Sequence, residues 1–79
     1  MTDPLHEVVV ACLFAVAPDL EGEDLDPTDE LRHDLGLDSM DYLDFLEALR
    51  VRTGVVVPEA DYRQVDSIGA AIVYLRGKT

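Results

Sequence analysis

Short apolar segments at helical spacing, separated by proline, glycine and acidic residues, are the feature that most constrains the fold of this chain. Apolar residues three and four positions apart lie on one face of a helix, and the separating residues end one helix before the next begins. A chain of 79 residues can build one small hydrophobic core but not two. We therefore predict a single all-α domain, residues 1–79, folded as a small helical bundle.

The first predicted helix lies near the N-terminus. Asp3 followed by Pro4 is a helix-start signal, because aspartate caps helices and proline suits the first helical position. The apolar residues that follow keep helical spacing: Leu5, Val8, Val9, Cys12, Leu13 and Val16. Three consecutive valines would also suit a strand, but the length of the periodic stripe favours a helix that ends near Pro18.

Residues 18–29 are acidic and rich in turn-forming residues, which predicts a long loop after the first helix. Leu20 and Leu25 are its isolated apolar residues and could anchor it across the bundle. Four acidic residues fit calcium-ligand positions of an EF-hand loop: Asp19, Glu21, Glu23 and Glu30. Asp24 stands where that loop needs glycine, so we predict a solvated acidic loop that binds cations weakly at most, and no metal site.

The second helix is predicted to begin at Asp38, to run to about Thr53 and to stop at Gly54. Asp38 and Asp41 have the spacing of an N-cap and its third-position partner. The inward face of this helix is apolar or aromatic: Tyr42, Phe45, Leu46 and Leu49. The opposite face is acidic and includes a methionine: Met40, Asp41, Asp44 and Glu47. We expect Met40 to be exposed among acids.

Two further helices are predicted in the last third of the chain. Pro58 suits the first turn of a short helix over residues 59–62. Asp66 is the expected cap of a last helix. The inward stripe of that helix is Ile68, Ala71, Ile72 and Leu75.

The charge of the chain limits its partners. Seventeen acidic side chains against six basic ones give a net charge of -11. Such a charge repels nucleic acid phosphates and anionic membrane surfaces, so we expect neither as a partner. A charged partner is expected to be basic.

The compartment is predicted from what the sequence lacks. Cys12 is the single cysteine and cannot form an internal disulfide, and the N-terminus has no positively charged signal-peptide region. The longest apolar run, residues 8–17, is too short to span a bilayer. We expect a cytoplasmic monomer.

The most informative segment is residues 35–41, Leu-Gly-Leu-Asp-Ser-Met-Asp, where a loop with a glycine leads into the second helix. A hydroxyl in the first helical turn is accessible, and a phosphodiester formed there would lie at the positive end of the helix dipole. Ser39 could equally be a common helix-start residue. It has no sequence-local base, because His33 is six residues upstream and His6 lies on the first helix, so we expect no catalytic residue.

Residues 35–40 resemble the Leu-Gly-x-Asp-Ser-Leu attachment signature of the acyl carrier protein family, with Met40 in place of the usual leucine. Val57, Pro58 and Glu59 are similar to that family's segment entering its short third helix. Residues 68–75 resemble its closing helix, at the expected distance from Ser39. The resemblance therefore covers nearly the whole chain.

The resemblance implies a four-helix bundle with a long loop after helix one and a short third helix. It implies that a phosphopantetheinyl transferase attaches a 4'-phosphopantetheine arm from coenzyme A to Ser39, and that the thiol of the arm holds acyl groups as thioesters for fatty-acid, polyketide or related biosynthesis. The chain itself would catalyse nothing. Its other partners would be acyl-transferring, condensing or ligating enzymes.

The resemblance also assigns two groups of contact residues. The residues that would meet basic patches on partner enzymes are Asp38, Met40, Asp41, Asp44 and Glu47. The residues that would lie near a sheltered acyl chain are Phe45, Leu46, Leu49, Tyr62, Val65 and Ala71. A solvated helix face and an ordinary hydrophobic core are the alternative interpretations of these two groups.

Three other functions compete with this one. A peptidyl or aminoacyl carrier would share the fold, although Asp38 and the acidic second helix favour an acyl carrier. A small acidic helical adaptor would never acquire the arm. A hydrolase with Ser39 as nucleophile would need a triad that the sequence does not offer.

Overall fold

The computed structural model describes residues 4–23 and 25–78. Within these residues there are three α-helices, α1 (Pro4–Val16), α2 (Ser39–Thr53) and α3 (Ile68–Lys78), and two 3-10 helices, Pro18–Leu20 and Glu59–Gln64. They contain no strand, and their one isolated β-bridge joins Glu30 to Ser67. The predicted fold class is therefore confirmed: a small all-α bundle with a long loop after helix one and a short third helix. The expected Asp3 cap lies outside the described residues.

The core forms where α1 packs against both α2 and α3. Each α-helix buries part of its predicted inward face: Val9, Cys12 and Leu13 from α1, Tyr42, Phe45, Leu46 and Leu49 from α2, and Ile68, Ala71 and Leu75, together with Tyr74, from α3. Leu31, Leu37 and Val65 complete the core from the segments between helices, and the predicted inward residues Leu5, Val8, Val16 and Ile72 are half-buried. Burial raises the pKa of the Cys12 thiol and so favours its protonated form. Tyr74 was not predicted as a core residue, and its hydroxyl donates to the Asp61 carboxylate at 2.7 Å.

Both ends of α2 follow the prediction. The Asp38 carboxylate accepts a hydrogen bond from the backbone N–H of Asp41 at 2.8 Å, so Asp38 is the N-cap. Gly54 ends the helix in the left-handed region, with φ of 76°, and its N–H donates to the carbonyl oxygen of Arg50. This position of α2 determines where Ser39 lies.

The predicted cap of the last helix was wrong. Ser67, not Asp66, caps α3, because its Oγ accepts the backbone N–H of Ala70 at 3.1 Å, three residues along. The carbonyl oxygen of Asp66 instead accepts the N–H of Leu31 at 2.8 Å, which joins this segment to the long loop. The short helix also differs in detail: it is a 3-10 helix over Glu59–Gln64, and Pro58 precedes it in an extended conformation.

The long loop is held across the bundle as expected. Leu20 and Leu25 are half-buried and pack against the core. The N–H of Gly69 donates to the carbonyl oxygen of Pro27 at 2.9 Å, and a Cβ at position 69 would stand 3.2 Å from that oxygen. Glycine at the start of α3 therefore allows the loop to approach closely. Asp24, on which the EF-hand argument depends, lies outside the described residues.

Two properties of the described residues bear on binding. No group of three or more His, Cys, Asp or Glu side chains in residues 4–23 and 25–78 is placed to hold a metal ion. None of the helices within that part of the chain is long and apolar enough to cross a membrane.

Candidate functional site

Ser39 is the first residue of α2, and its side chain is exposed. The turn before it depends on Gly36, which adopts a φ of 77°, a conformation that glycine takes without strain. Leu37 is buried, and its N–H donates to the carbonyl oxygen of Leu31 at 3.0 Å. With Leu37 anchored inward and Asp38 capping the helix, Ser39 is exposed at a defined place on the surface.

The surroundings of Ser39 suit a phosphate ester. It lies at the N-terminus of a 15-residue helix, where the backbone N–H groups and the helix dipole favour negative charge. Asp38 supplies the cap and leaves the serine hydroxyl free of that task. An accessible oxygen at the N-terminus of a helix is therefore available for covalent attachment.

Arg32 is the side chain that contacts the serine hydroxyl. Its Nη2 lies 3.4 Å from Ser39 Oγ, a long hydrogen bond, and its guanidinium carbon lies 5.8 Å from the centre of the Tyr42 ring. Sequence reasoning missed Arg32, because seven residues separate it from Ser39 and nothing in the 35–41 motif points to it.

This contact does not activate Ser39 as a nucleophile. A guanidinium has no acceptor for the serine proton, so it cannot act as a general base. His33 is exposed and His6 is half-buried on α1, and among the described residues neither forms a hydrogen bond with Ser39. The arrangement fits an attachment point rather than a hydrolase triad.

The residues assigned to partner contact lie around the start and along the outer face of α2. Asp38, Met40, Asp44 and Glu47 are exposed and Asp41 is half-buried. Met40 is 74% exposed, as expected, and Leu43 beside it is a second exposed apolar residue that the sequence reasoning did not single out. The structure thus brings an apolar pair and several carboxylates together beside Ser39.

Glu47 differs from the other carboxylates of this face. It forms a salt bridge with Arg50, including a hydrogen bond from Arg50 Nε to Oε2 at 2.9 Å. This hydrogen bond holds the pKa of Glu47 below its ordinary value. A partner would therefore compete with Arg50 for Glu47, whereas Asp38 and Asp44 form no salt bridge within the described residues.

The six residues assigned to an acyl pocket do not share one cavity. Phe45, Leu49, Val65 and Ala71 are packed in the core with almost no exposure. Leu46 and Tyr62 line an open groove of about 200 Å³ together with Leu43, Val56 and Val57. Shelter for a chain between the helices would therefore require the core to open.

A larger open groove of about 550 Å³ is lined in part by Arg32, the residue whose Nη2 contacts Ser39. Tyr42, Tyr62 and Arg63 also line this groove. The rings of Tyr42 and Tyr62 meet edge to face, with centroids 5.5 Å apart.

Comparison with known proteins agrees with the geometry. The model of a family described as "Phosphopantetheine attachment site" matches residues 8–75. A curated relative, "Putative acyl carrier protein, mitochondrial" from Schizosaccharomyces pombe, is 35% identical over 49 residues. The aligned segment covers 62% of this chain and 44% of the relative, so the chain spans less than half the length of that protein.

Proposed function

Because this chain belongs to the phosphopantetheine attachment site family, whose model matches residues 8–75, we propose that it is an acyl carrier protein modified on Ser39. The observation that carries the proposal is the exposed hydroxyl of Ser39 at the N-terminus of α2, beside a guanidinium. When bound, 4'-phosphopantetheine supplies a terminal thiol that holds acyl cargo as a thioester.

The residues of the site fit that group. Ser39 offers the oxygen for the ester, and Arg32 and the helix N-terminus offer positive charge for its phosphate. Attachment forms a bond between Ser39 Oγ and a phosphorus of coenzyme A and releases adenosine 3',5'-bisphosphate. The described residues place no base at Ser39, so the hydroxyl proton passes to the phosphopantetheinyl transferase.

The outer face of α2 is the proposed docking surface for the transferase and for acyl-transferring, condensing or ligating enzymes. Carboxylates attract a basic patch over a distance, and an exposed apolar side chain such as Met40 adds contact area once the partner has arrived. We propose a monomer that serves fatty-acid, polyketide or related biosynthesis.

The compartment is part of the proposal as well. The sequence predicts the cytoplasm, whereas the relative from Schizosaccharomyces pombe is named as a mitochondrial protein. Fluorescent tagging of the full chain in its own cells decides between the two.

The experiment that tests the function measures attachment first and cargo second. Incubation with coenzyme A and a promiscuous transferase should add one arm to the wild-type protein and none to Ser39→Ala. The modified protein is then incubated in two separate reactions. One contains a fatty-acid ligase and its substrates, and the other contains an amino-acid-activating enzyme and its substrates. Loading by the first alone supports an acyl carrier, loading by the second alone supports the aminoacyl alternative, and a protein that never accepts the arm is an adaptor.

A further inference from the structure

Arg32 is held over the attachment point by two contacts. Its Nη2 approaches Ser39 Oγ at 3.4 Å, and its guanidinium carbon lies 5.8 Å from the centre of the Tyr42 ring. Tyr42 is itself fixed, because it is buried and its hydroxyl lies 2.7 Å from the carbonyl oxygen of Val65. The cation therefore rests on a rigid part of the fold and faces the oxygen that would carry a phosphorus.

Arg32 forms no salt bridge within the described residues, although the chain has 17 acidic and six basic residues. Arg50 forms a salt bridge with Glu47, but no carboxylate in residues 4–23 and 25–78 forms one with Arg32. Because its Nη2 already lies 3.4 Å from Ser39 Oγ, Arg32 has donors available for an anion at that oxygen. A phosphodiester on Ser39 has two non-bridging oxygens that share a negative charge and match the guanidinium fork.

The groove next to Arg32 gives the rest of the arm a place to lie. It has a volume of about 550 Å³, and its lining combines the tyrosine rings of Tyr42 and Tyr62 with the polar groups of Glu30, Arg63 and Asp66. Pantetheine has the same mixture, a branched apolar pantoate group followed by two amides. Apolar methyl groups pack on aromatic rings, and amides form hydrogen bonds with charged or polar side chains.

We propose that Arg32 is a positioning residue that binds the phosphodiester on Ser39 and directs the arm into the groove lined by Tyr42 and Tyr62. This inference rests on the proposed attachment at Ser39. It concerns the path of the arm over the surface of this chain, and it requires no opening of the core.

The test compares two variants that remove one positive charge each. Arg32→Gln removes the proposed contact, and Arg52→Gln removes an exposed arginine from the other end of α2. Both proteins and the wild type are converted to the arm-bearing form, and intact mass confirms the conversion. The measurements are the phosphorus-31 chemical shift of the phosphodiester and the nuclear Overhauser effects from the pantoate methyl protons to the ring protons of Tyr42 and Tyr62.

We expect these Overhauser effects in the wild type and in Arg52→Gln, and their loss in Arg32→Gln. The phosphorus shift of Arg32→Gln should move toward the value of the same protein unfolded in urea, with an unchanged backbone amide spectrum away from the site. Wild-type protein that shows no Overhauser effect to either ring overturns the proposal without any variant. Equal spectra for the two variants overturn it as well. Failure to add the arm at all is a different result, because it contradicts the function of Ser39 and not the role of Arg32.

Discussion

The hydroxyl of Tyr42 lies 2.7 Å from the carbonyl oxygen of Val65 and donates a hydrogen bond to it. The carbonyl oxygen of Tyr62 lies 3.0 Å from the same hydroxyl. These contacts join the first turns of α2 to the segment between the short helix and α3. The residue that supports Arg32 therefore also connects the start of α2, where Ser39 lies, to the rest of the bundle.

Tyr42→Phe should lower the free energy of unfolding by about 1–3 kcal/mol, because the buried carbonyl oxygen of Val65 loses its donor. Thermal or urea unfolding followed by circular dichroism measures the loss. Tyr62→Phe is the matched control, since the Tyr62 hydroxyl forms no hydrogen bond within the described part of the chain. If the two substitutions lower the free energy of unfolding equally, the hydrogen bond of the Tyr42 hydroxyl adds no stability of its own.

Stability should fall at alkaline pH because of the same residue. Burial, followed by the nearby Tyr62, raises the pKa of Tyr42 from 10.0 to about 12. The neutral phenol is favoured in the folded state, so its contribution is complete below pH 10 and is lost as the pH rises toward 12. We expect a loss of up to about 2 kcal/mol over that interval in urea unfolding. The decline should be smaller in Tyr42→Phe, and an identical decline in both proteins would refute this assignment.

Met40→Ala should weaken the docking of partner enzymes. Met40 is 74% exposed, and its burial in an interface would contribute about 1.5 kcal/mol or more, which corresponds to about a tenfold change in affinity. The measurement is kcat/KM of a phosphopantetheinyl transferase for the unmodified protein. Val51→Ala is the control, because Val51 is 70% exposed at the far end of α2. A tenfold lower kcat/KM for Met40→Ala alone is the expected result, and unchanged transfer kinetics would rule the contact out.

Salt should raise the melting temperature. A net charge of -11 on a small core causes self-repulsion that ions screen. We expect an increase of a few degrees between low and physiological ionic strength, measured by differential scanning calorimetry. A double variant, Asp19→Asn with Glu21→Gln, removes two exposed charges of the loop, so it should melt higher at low salt and gain less from added salt. A flat response of the wild type would contradict the explanation.

The helices and their ends could be predicted because local rules determine them. Asp38 caps α2 through a bond to the N–H three residues along, and Gly54 ends it in a conformation that favours glycine. The buried face of α2 follows from periodicity alone. The cap of α3 was predicted one residue too early. The carbonyl oxygen of Asp66 accepts a hydrogen bond from the N–H of Leu31, in a distant part of the chain, and the carbonyl oxygen of Ser67 accepts the first hydrogen bond of the helix from Ala71.

The site could be predicted only in part. Ser39 stands out because the motif around it is local in sequence. Arg32 does not stand out, because its approach to Ser39 depends on the path of residues 30–37. In that segment Gly36 takes a positive φ, and the N–H of Leu37 donates a hydrogen bond to the carbonyl oxygen of Leu31. Tyr74 was missed although it lies three residues after Ala71 on the inward face of α3; what the sequence could not indicate is the contact of its hydroxyl with Asp61, 13 residues away.

The attachment of an arm to Ser39 is the central claim, and intact mass tests it most directly. The full chain is incubated with coenzyme A and a promiscuous phosphopantetheinyl transferase whose activity is verified on another carrier. Ser39→Ala serves as the control, and its circular dichroism spectrum should match that of the wild type because the side chain is exposed. We predict that the wild type gains the mass of one phosphopantetheine and that the control gains none. An unchanged wild-type mass, or an equal gain in Ser39→Ala, would contradict the claim.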